Sequence, residues 1–159
     1  MPVNKPALES ALQSLFATPP NTTAACATAW GNAMATYVAG MIPPHQAATT
    51  GTAALALAGE LTSVFNSWTA GTYDPDPCVN LAPFEAAFAN FATLIKDSPD
   101  TLGIYEGTAI PPADVGFCNI GIQTTHASAA AAFATAIDAW FKTGTSSLIL
   151  TPFTTVTWS

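Results

Sequence analysis

Leu8, Leu12, Leu15 and Phe16 recur at three- and four-residue spacing, the period that gathers side chains on one face of an α-helix. Asn4 stands where an N-cap is needed, and Pro19-Pro20 forbids continuation because neither residue can donate a helical hydrogen bond. The same reading gives a second helix, capped by Asn21, Thr22 or Thr23. Trp30, Ala33, Met34, Tyr37, Val38 and Met41 form its stripe, and Gly40 with Pro43-Pro44 closes it. Leu57, Leu61, Val64, Phe65 and Trp68 predict a third helix over 52–68, with an earlier start near Pro44 left open. A fourth begins at an Asn80 cap, takes Pro83 in its first turn and carries Phe84, Phe88, Phe91 and Ile95 as far as Ser98-Pro99. The last runs from a Thr124 or Thr125 cap to Gly144 and presents Ala130, Phe133, Ile137, Trp140 and Phe141. These stripes predict an all-α fold of about five amphipathic helices in one bundle-like domain. Its core is expected to contain Trp30, Tyr37, Leu61, Phe65, Phe88, Phe91, Phe133, Ile137 and Trp140.

Two stretches break the period. From Asp100 to Thr124 the chain gains Gly103, Gly107, Pro111-Pro112, Gly116 and Gly121, which predicts a long irregular loop. Loops of that length inside compact domains often make contacts or carry function; here Ile104, Tyr105, Ile110, Phe117 and Ile120 could equally pin it to the bundle. After Gly144 the alanine-rich pattern gives way to Thr, Val, Ile, Phe and Trp, with Pro152 splitting the run, and residues 148–159 read as an extended, strand-like arm. The chain thus divides into a helical domain, 1–147, and a C-terminal arm, 148–159. No second strand is apparent to satisfy the arm's backbone, so it is expected to dock on another protein. Phe153, Val156 and Trp158 would be its interface residues. The alternative is an arm folded back over its own helices.

Composition changes the picture of the surface. The 159 residues fit one domain and contain no arginine, three lysines and ten acidic residues, so charged residues make up 8% where about a quarter is usual. Thr, Ser, Asn and Ala must cover whatever faces outward, as suits a subunit packed against other proteins. A net charge of −7 repels a phosphate backbone, and Lys5, Lys96 and Lys142 are too scattered to form a basic stripe, which sets nucleic-acid binding aside. No membrane span is expected, because every apolar run is interrupted before the ~20 residues a bilayer needs. Asn4, Lys5, Pro6 and Glu9 likewise interrupt any N-terminal signal core.

The candidates for chemistry are few. His45 and His126 lie beside helix starts with no carboxylate at helical spacing, and read as ordinary polar residues near caps. Asp74 and Asp76 lack the ladder of a calcium loop and read as turn formers between prolines. No Ser lies in a nucleophile elbow and no Gly-rich phosphate loop is present, so no catalytic, cofactor-binding or metal-ligating residue is assigned and no enzyme is expected. Cys26, Cys78 and Cys118 allow one internal bridge in three pairings, or none. The expectation is thiols that stay free or pair between subunits, without zinc.

The opening Met-Pro-Val-Asn-Lys-Pro-Ala-Leu-Glu-Ser-Ala-Leu, the helix Ala-Ala-Ala-Phe-Ala-Thr-Ala-Ile-Asp-Ala-Trp-Phe-Lys-Thr-Gly-Thr and the terminal Thr-Trp-Ser together resemble small virion proteins of tailed bacteriophages. That resemblance covers the two ends of the chain better than its middle. It implies a non-enzymatic structural subunit of the tail, baseplate or head-to-tail neck, present in symmetry-related copies and partnered by other virion proteins. It assigns no binding residue. Two other classes remain: a helical bundle carrying a lipid or other apolar ligand in a cavity lined by Phe84, Phe88, Phe91, Phe133 and Trp140, and a hydrolase without a recognisable motif.

Overall fold

The computed structural model describes residues 3–71, 74–100, 115–147 and 154–159. Among them are six α-helices: α1 (Lys5–Ala17), α2 (Thr23–Val38), α3 (Gln46–Thr49), α4 (Thr52–Thr69), α5 (Pro77–Asp97) and α6 (His126–Phe141). The fold is all-α apart from one short antiparallel ribbon, as the periodicity indicates. Three starts follow the cap residues read from the sequence. Asn4 Oδ1 accepts the Ala7 N–H at 3.1 Å, Thr22 Oγ1 accepts that of Ala25 at 3.1 Å, and Thr125 Oγ1 accepts that of Ser128 at 3.0 Å. The open start near Pro44 resolves into a separate single turn, α3. Gly51, at a left-handed φ of 74°, then breaks the chain before α4.

α5 corrects the expected boundary. It begins at Pro77, because Asp76 Oδ1 takes the Cys78 N–H at 2.9 Å and a proline at the first position has no N–H to leave unsatisfied. Asn80 lies inside the helix and ties the preceding turn instead. It accepts the Asp74 N–H at 3.0 Å and donates to the Asp74 carbonyl at 2.8 Å. Pro83 consequently falls inside α5 rather than in its first turn. With 21 residues and a mean hydropathy of 1.3, α5 is long and apolar enough to cross a membrane by length and composition. Its Phe84, Ala87, Phe88, Phe91, Ala92 and Ile95 are buried against the bundle, and 33% of the apolar window is buried in all.

α1 packs on both α2 and α6, α2 lies along α4, and α4 lies along α5. The α2–α4 approach depends on Gly31, where a Cβ would lie 2.6 Å from the Ala54 carbonyl oxygen and 3.0 Å from Ala58 Cβ. Thr23 donates to Asn66 at 2.6 Å across that seam, and Asn90 donates to Glu60 across the next, between α5 and α4. Inside, aromatic rings meet largely edge to face. Trp30 contacts Phe84, Phe88 and Phe133 at 5.4, 6.0 and 5.9 Å, and Phe88 contacts Trp140 at 6.0 Å. A single 3₁₀ turn, Phe117–Asn119, adds Phe117 to the cluster, 5.2 Å from Phe84, 5.1 Å from Phe88 and 5.3 Å from Phe133. All nine residues expected in the core are buried there or packed against it.

The C-terminal segment departs from the expectation of a docking arm. β1 (Thr145–Ser147) pairs antiparallel with β2 (Thr155–Thr157), so the second strand thought missing is the three residues that follow Gly144. Trp158 N–H then donates to the Gly144 carbonyl at 2.8 Å, and Ser159 exchanges both backbone hydrogen bonds with Ile42, at 2.8 and 3.1 Å. The Trp158 indole is fully buried and lies on Phe141, with ring centroids 5.1 Å apart. Its seat exists because residue 144 has no side chain. A Cβ there would come within 2.5 Å of the indole. The described part of the arm therefore packs on the helical domain, since burying one large ring and satisfying its neighbours' backbone groups holds it in place.

Two substitutions test this packing. Phe88→Ala is expected to lower unfolding stability by about 3–5 kcal/mol in denaturant titration. Gly144→Ala should cost about 1–3 kcal/mol and shift tryptophan emission to longer wavelength as Trp158 is driven from its seat.

Candidate functional site

The densest buried polar group in the described structure forms where the start of α3, the end of α5, β1 and the C-terminal segment meet. His45 precedes α3 in an extended conformation, its backbone bridged to Asp100. The neighbouring Gln46 N–H donates to the Pro99 carbonyl at 3.0 Å. The ring reaches the Ser98 carbonyl through Nδ1 at 3.0 Å and Ser146 Oγ through Nε2 at 2.9 Å. A carbonyl oxygen only accepts, so Nδ1 carries the hydrogen; in the neutral ring Nε2 is then the acceptor, and the Ser146 hydroxyl donates into it. Trp158 Nε1–H donates to the same Ser146 oxygen at 2.9 Å.

A serine hydroxyl on an imidazole whose far nitrogen is oriented by a carbonyl has the connectivity of a nucleophile with its base. The surroundings argue for a different role. Ser146 and His45 are each 3% exposed, Trp158 covers them, and its indole N–H occupies a lone pair of the oxygen that would have to attack. What the arrangement does chemically is join four chain segments through fully used donors and acceptors, which in a low-dielectric interior makes each bond costly to break. His45 is thus a buried tie rather than an ordinary cap residue, while His126 is exposed at the first position of α6.

A second polar cluster joins α2 to α6. Tyr37 donates to Asp138 Oδ1 at 3.1 Å, and Lys142 Nζ lies 2.9 Å from Asp138 Oδ2. Burial, then the Asp138 charge and hydrogen bond, push the Tyr37 phenol well above its ordinary range. The Tyr37 carbonyl also accepts the Asn4 N–H at 2.9 Å, so the start of α1 is held at the same place.

Of the interface residues expected from the sequence, Phe153 lies outside the described residues. Val156 is half-buried and pairs directly with Ser146, which puts it on the same face of the ribbon as that buried residue. Trp158 is an internal anchor, for the steric and hydrogen-bonding reasons given above. The cysteines also differ from expectation: Cys78 and Cys118 form a disulfide within the chain, with Cα atoms 5.1 Å apart, because Phe117 brings its turn onto the first turn of α5. Cys26 is free and half-buried, and burial pushes its thiol pKa up.

The aromatic residues proposed to line a ligand cavity pack on one another instead, with Phe84 and Phe88 5.2 Å apart. Hollows of about 400 Å³ lie on the surface, one between α1 and α2 lined by Ala11, Leu15, Asn32 and Thr36, and another beside Gln46, Leu94 and Asp97. Among the described residues no three His, Cys, Asp or Glu side chains gather as a metal site. Asp74 and Asp76 are engaged in turn and cap hydrogen bonds, with the Asp76 N–H donating to Asp74 Oδ1 at 2.8 Å. No protein-family model, curated protein or solved structure matches this chain.

None of the His45 network was legible, because its members are 53 and 101 residues apart and no local spacing announces them. The nearest signal was a lone polar ring after Met41-Ile42-Pro43-Pro44.

Ser146→Ala leaves His45 Nε2 and Trp158 Nε1 buried without partners, and should cost about 2–4 kcal/mol in a thermal or urea melt. An activated serine would instead take up a fluorophosphonate label, and none is expected. Tyr37 gives a pH test. Its folded pKa is raised, so its contribution is complete below the unfolded phenol value near ~10 and is lost as pH rises beyond it. Stability measured from pH 8 to 11 should therefore fall above about pH 10, and Tyr37→Phe should flatten that fall.

Proposed function

We propose that this chain is a non-enzymatic structural subunit of a tailed-bacteriophage virion, in the tail, baseplate or head-to-tail neck. It would act by packing against other virion proteins and copies of itself after synthesis in the host cytoplasm. The observation that carries this reading is the poverty of charge on the outside of a filled bundle. Three lysines and ten acidic residues serve the whole chain, while Leu55 is 73% and Ile122 99% exposed, with Val79 also facing out. Scattered exposed apolar residues are ordinary, but here little charge surrounds them, as in surfaces that become permanent interfaces.

With Trp158 turned inward, the helix faces rather than the arm become the packing surface. The α2–α4 side supports that assignment. Leu55 stands beside a hollow of about 240 Å³ lined by Thr28, Asn32, Ala35 and Ala58, where no charged side chain would have to be stripped of water. The filled aromatic interior weighs against a carrier of apolar ligands. The covered Ser146 weighs against a hydrolase.

Native mass spectrometry and negative-stain microscopy of the purified chain are expected to reveal a closed homo-oligomer or a defined complex with a second virion protein. Antibody labelling should place it at one position on phage particles. A monomer at high concentration that is absent from particles would overturn the reading, and stoichiometric co-purified lipid would favour the carrier. Leu55→Asp should abolish the assembly while leaving the circular-dichroism spectrum unchanged.

A further inference from the structure

Cys78 lies in the first turn of α5 and Cys118 is the middle residue of the 3₁₀ turn Phe117–Asn119. Three features of this junction bear on what the bond does. The turn is shaped by its own backbone: Gly116 has φ 70°, and the Asn119 and Ile120 N–H groups donate to Gly116 and Phe117 carbonyls at 2.9 and 3.0 Å. Its one deeply inserted side chain is Phe117, 1% exposed and wedged among Phe84, Phe88 and Phe133. Cys118 itself is exposed, and Cys78 half-buried. A surface bond thus guards a core wedge.

We propose that the Cys78–Cys118 disulfide is a thiol-responsive latch: closed, it holds Phe117 between α5 and α6; opened by a small dithiol, it releases the turn and uncovers Phe84 and Phe88 while the other helices stay folded. Attack falls on the sulfur of Cys118, the accessible one. A thiolate of the dithiol forms a bond to that sulfur, the Cys78–Cys118 bond breaks, and Cys78 leaves as a thiolate that takes up a proton. The second thiol of the reductant then closes its own ring disulfide and frees Cys118. Two electrons pass to the protein, two cysteine thiols form, and the dithiol is oxidised. Burial pushes the Cys26 thiol pKa up, which lowers its thiolate fraction and disfavours scrambling.

The link spans 40 residues of sequence, so breaking it restores much chain freedom to the turn. The side-chain caps of α1, α2 and α6 do not pass through it, nor do the contacts of α1 with α2 and of α2 with α4; α6 meets the turn through Phe133. Asp76 still caps α5 after the bond opens, because it holds the Cys78 backbone N–H rather than its sulfur. The rest of the bundle is thereby insulated from the event.

The test uses the whole chain in its oxidised form, after treatment with dithiothreitol, and as the Cys78→Ser/Cys118→Ser variant. Titration of thiols in denaturant should find one per chain before reduction and three after. Hydrogen–deuterium exchange at Gly116–Ile120 should accelerate about 100-fold on reduction and in the variant, with α2 and α6 changing less than about threefold. Binding of an apolar fluorescent dye should rise in parallel and reverse on re-oxidation. Three thiols in air-oxidised protein would overturn the proposal, as would equal protection of the turn in both states. Loss of protection throughout the bundle would make the bond a staple of the whole fold, and that also overturns it.

Discussion

Contact between aromatic rings, stacked, tilted or edge to face, is the constraint on which the rest of this bundle depends. The contacts form one connected path, from Trp68 through Phe84 and Phe88 to Trp140, then Phe141 and Trp158 to His45, with Trp30, Phe117 and Phe133 attached along it. Rings at these separations prefer particular tilts, so each helix that contributes one is fixed in rotation as well as distance. Alanine elsewhere is what lets this happen. Ala27, Ala53, Ala92, Ala130 and Ala134 are buried and short enough to bring helix backbones together around the large rings, and Gly31 and Gly144 carry the same logic to its limit.

The helices were legible because burial on one face leaves a 3.6-residue record, and caps such as Asn4, Thr22 and Thr125 leave a one-residue record. Apart from one cap, what failed was whatever depends on distant partners. Asn80 was a plausible cap, but Asp76 with Pro77 behind it made a better one four residues earlier. β1 consists of Thr-Ser-Ser and has no strand signature of its own; it is a strand only because β2 lies beside it. That hidden strand was one ground for expecting the arm to find its hydrogen bonds on another protein, beside the change of composition after Gly144 and the aromatic residues Phe153 and Trp158. Cys78 and Cys118 could not be paired from three cysteines without knowing where Phe117 inserts.

The candidate site shows the same division in sharper form. His45, Ser98, Ser146 and Trp158 come from four places in the chain, and each looks unremarkable where it stands. Together they convert what could have been a loose end into a closed polar junction, leaving the catalytic-looking pair without room to act. A chain with so little charge has few ion pairs to hold its elements in register. At His45 it uses a hydrogen-bond network without an ion pair, whose strength varies little with salt. That property suits the packing role proposed above.

The packing of α1 against α6 places Leu8, Leu12 and Leu15, all buried, beside a helix that begins at His126. During synthesis α2 can shield part of that face early, but the remainder must wait for about 110 further residues, roughly 5 to 20 seconds at ordinary elongation rates. For that interval the first helix is an incomplete amphipath in a crowded cell, free to meet the same helix on a neighbouring ribosome.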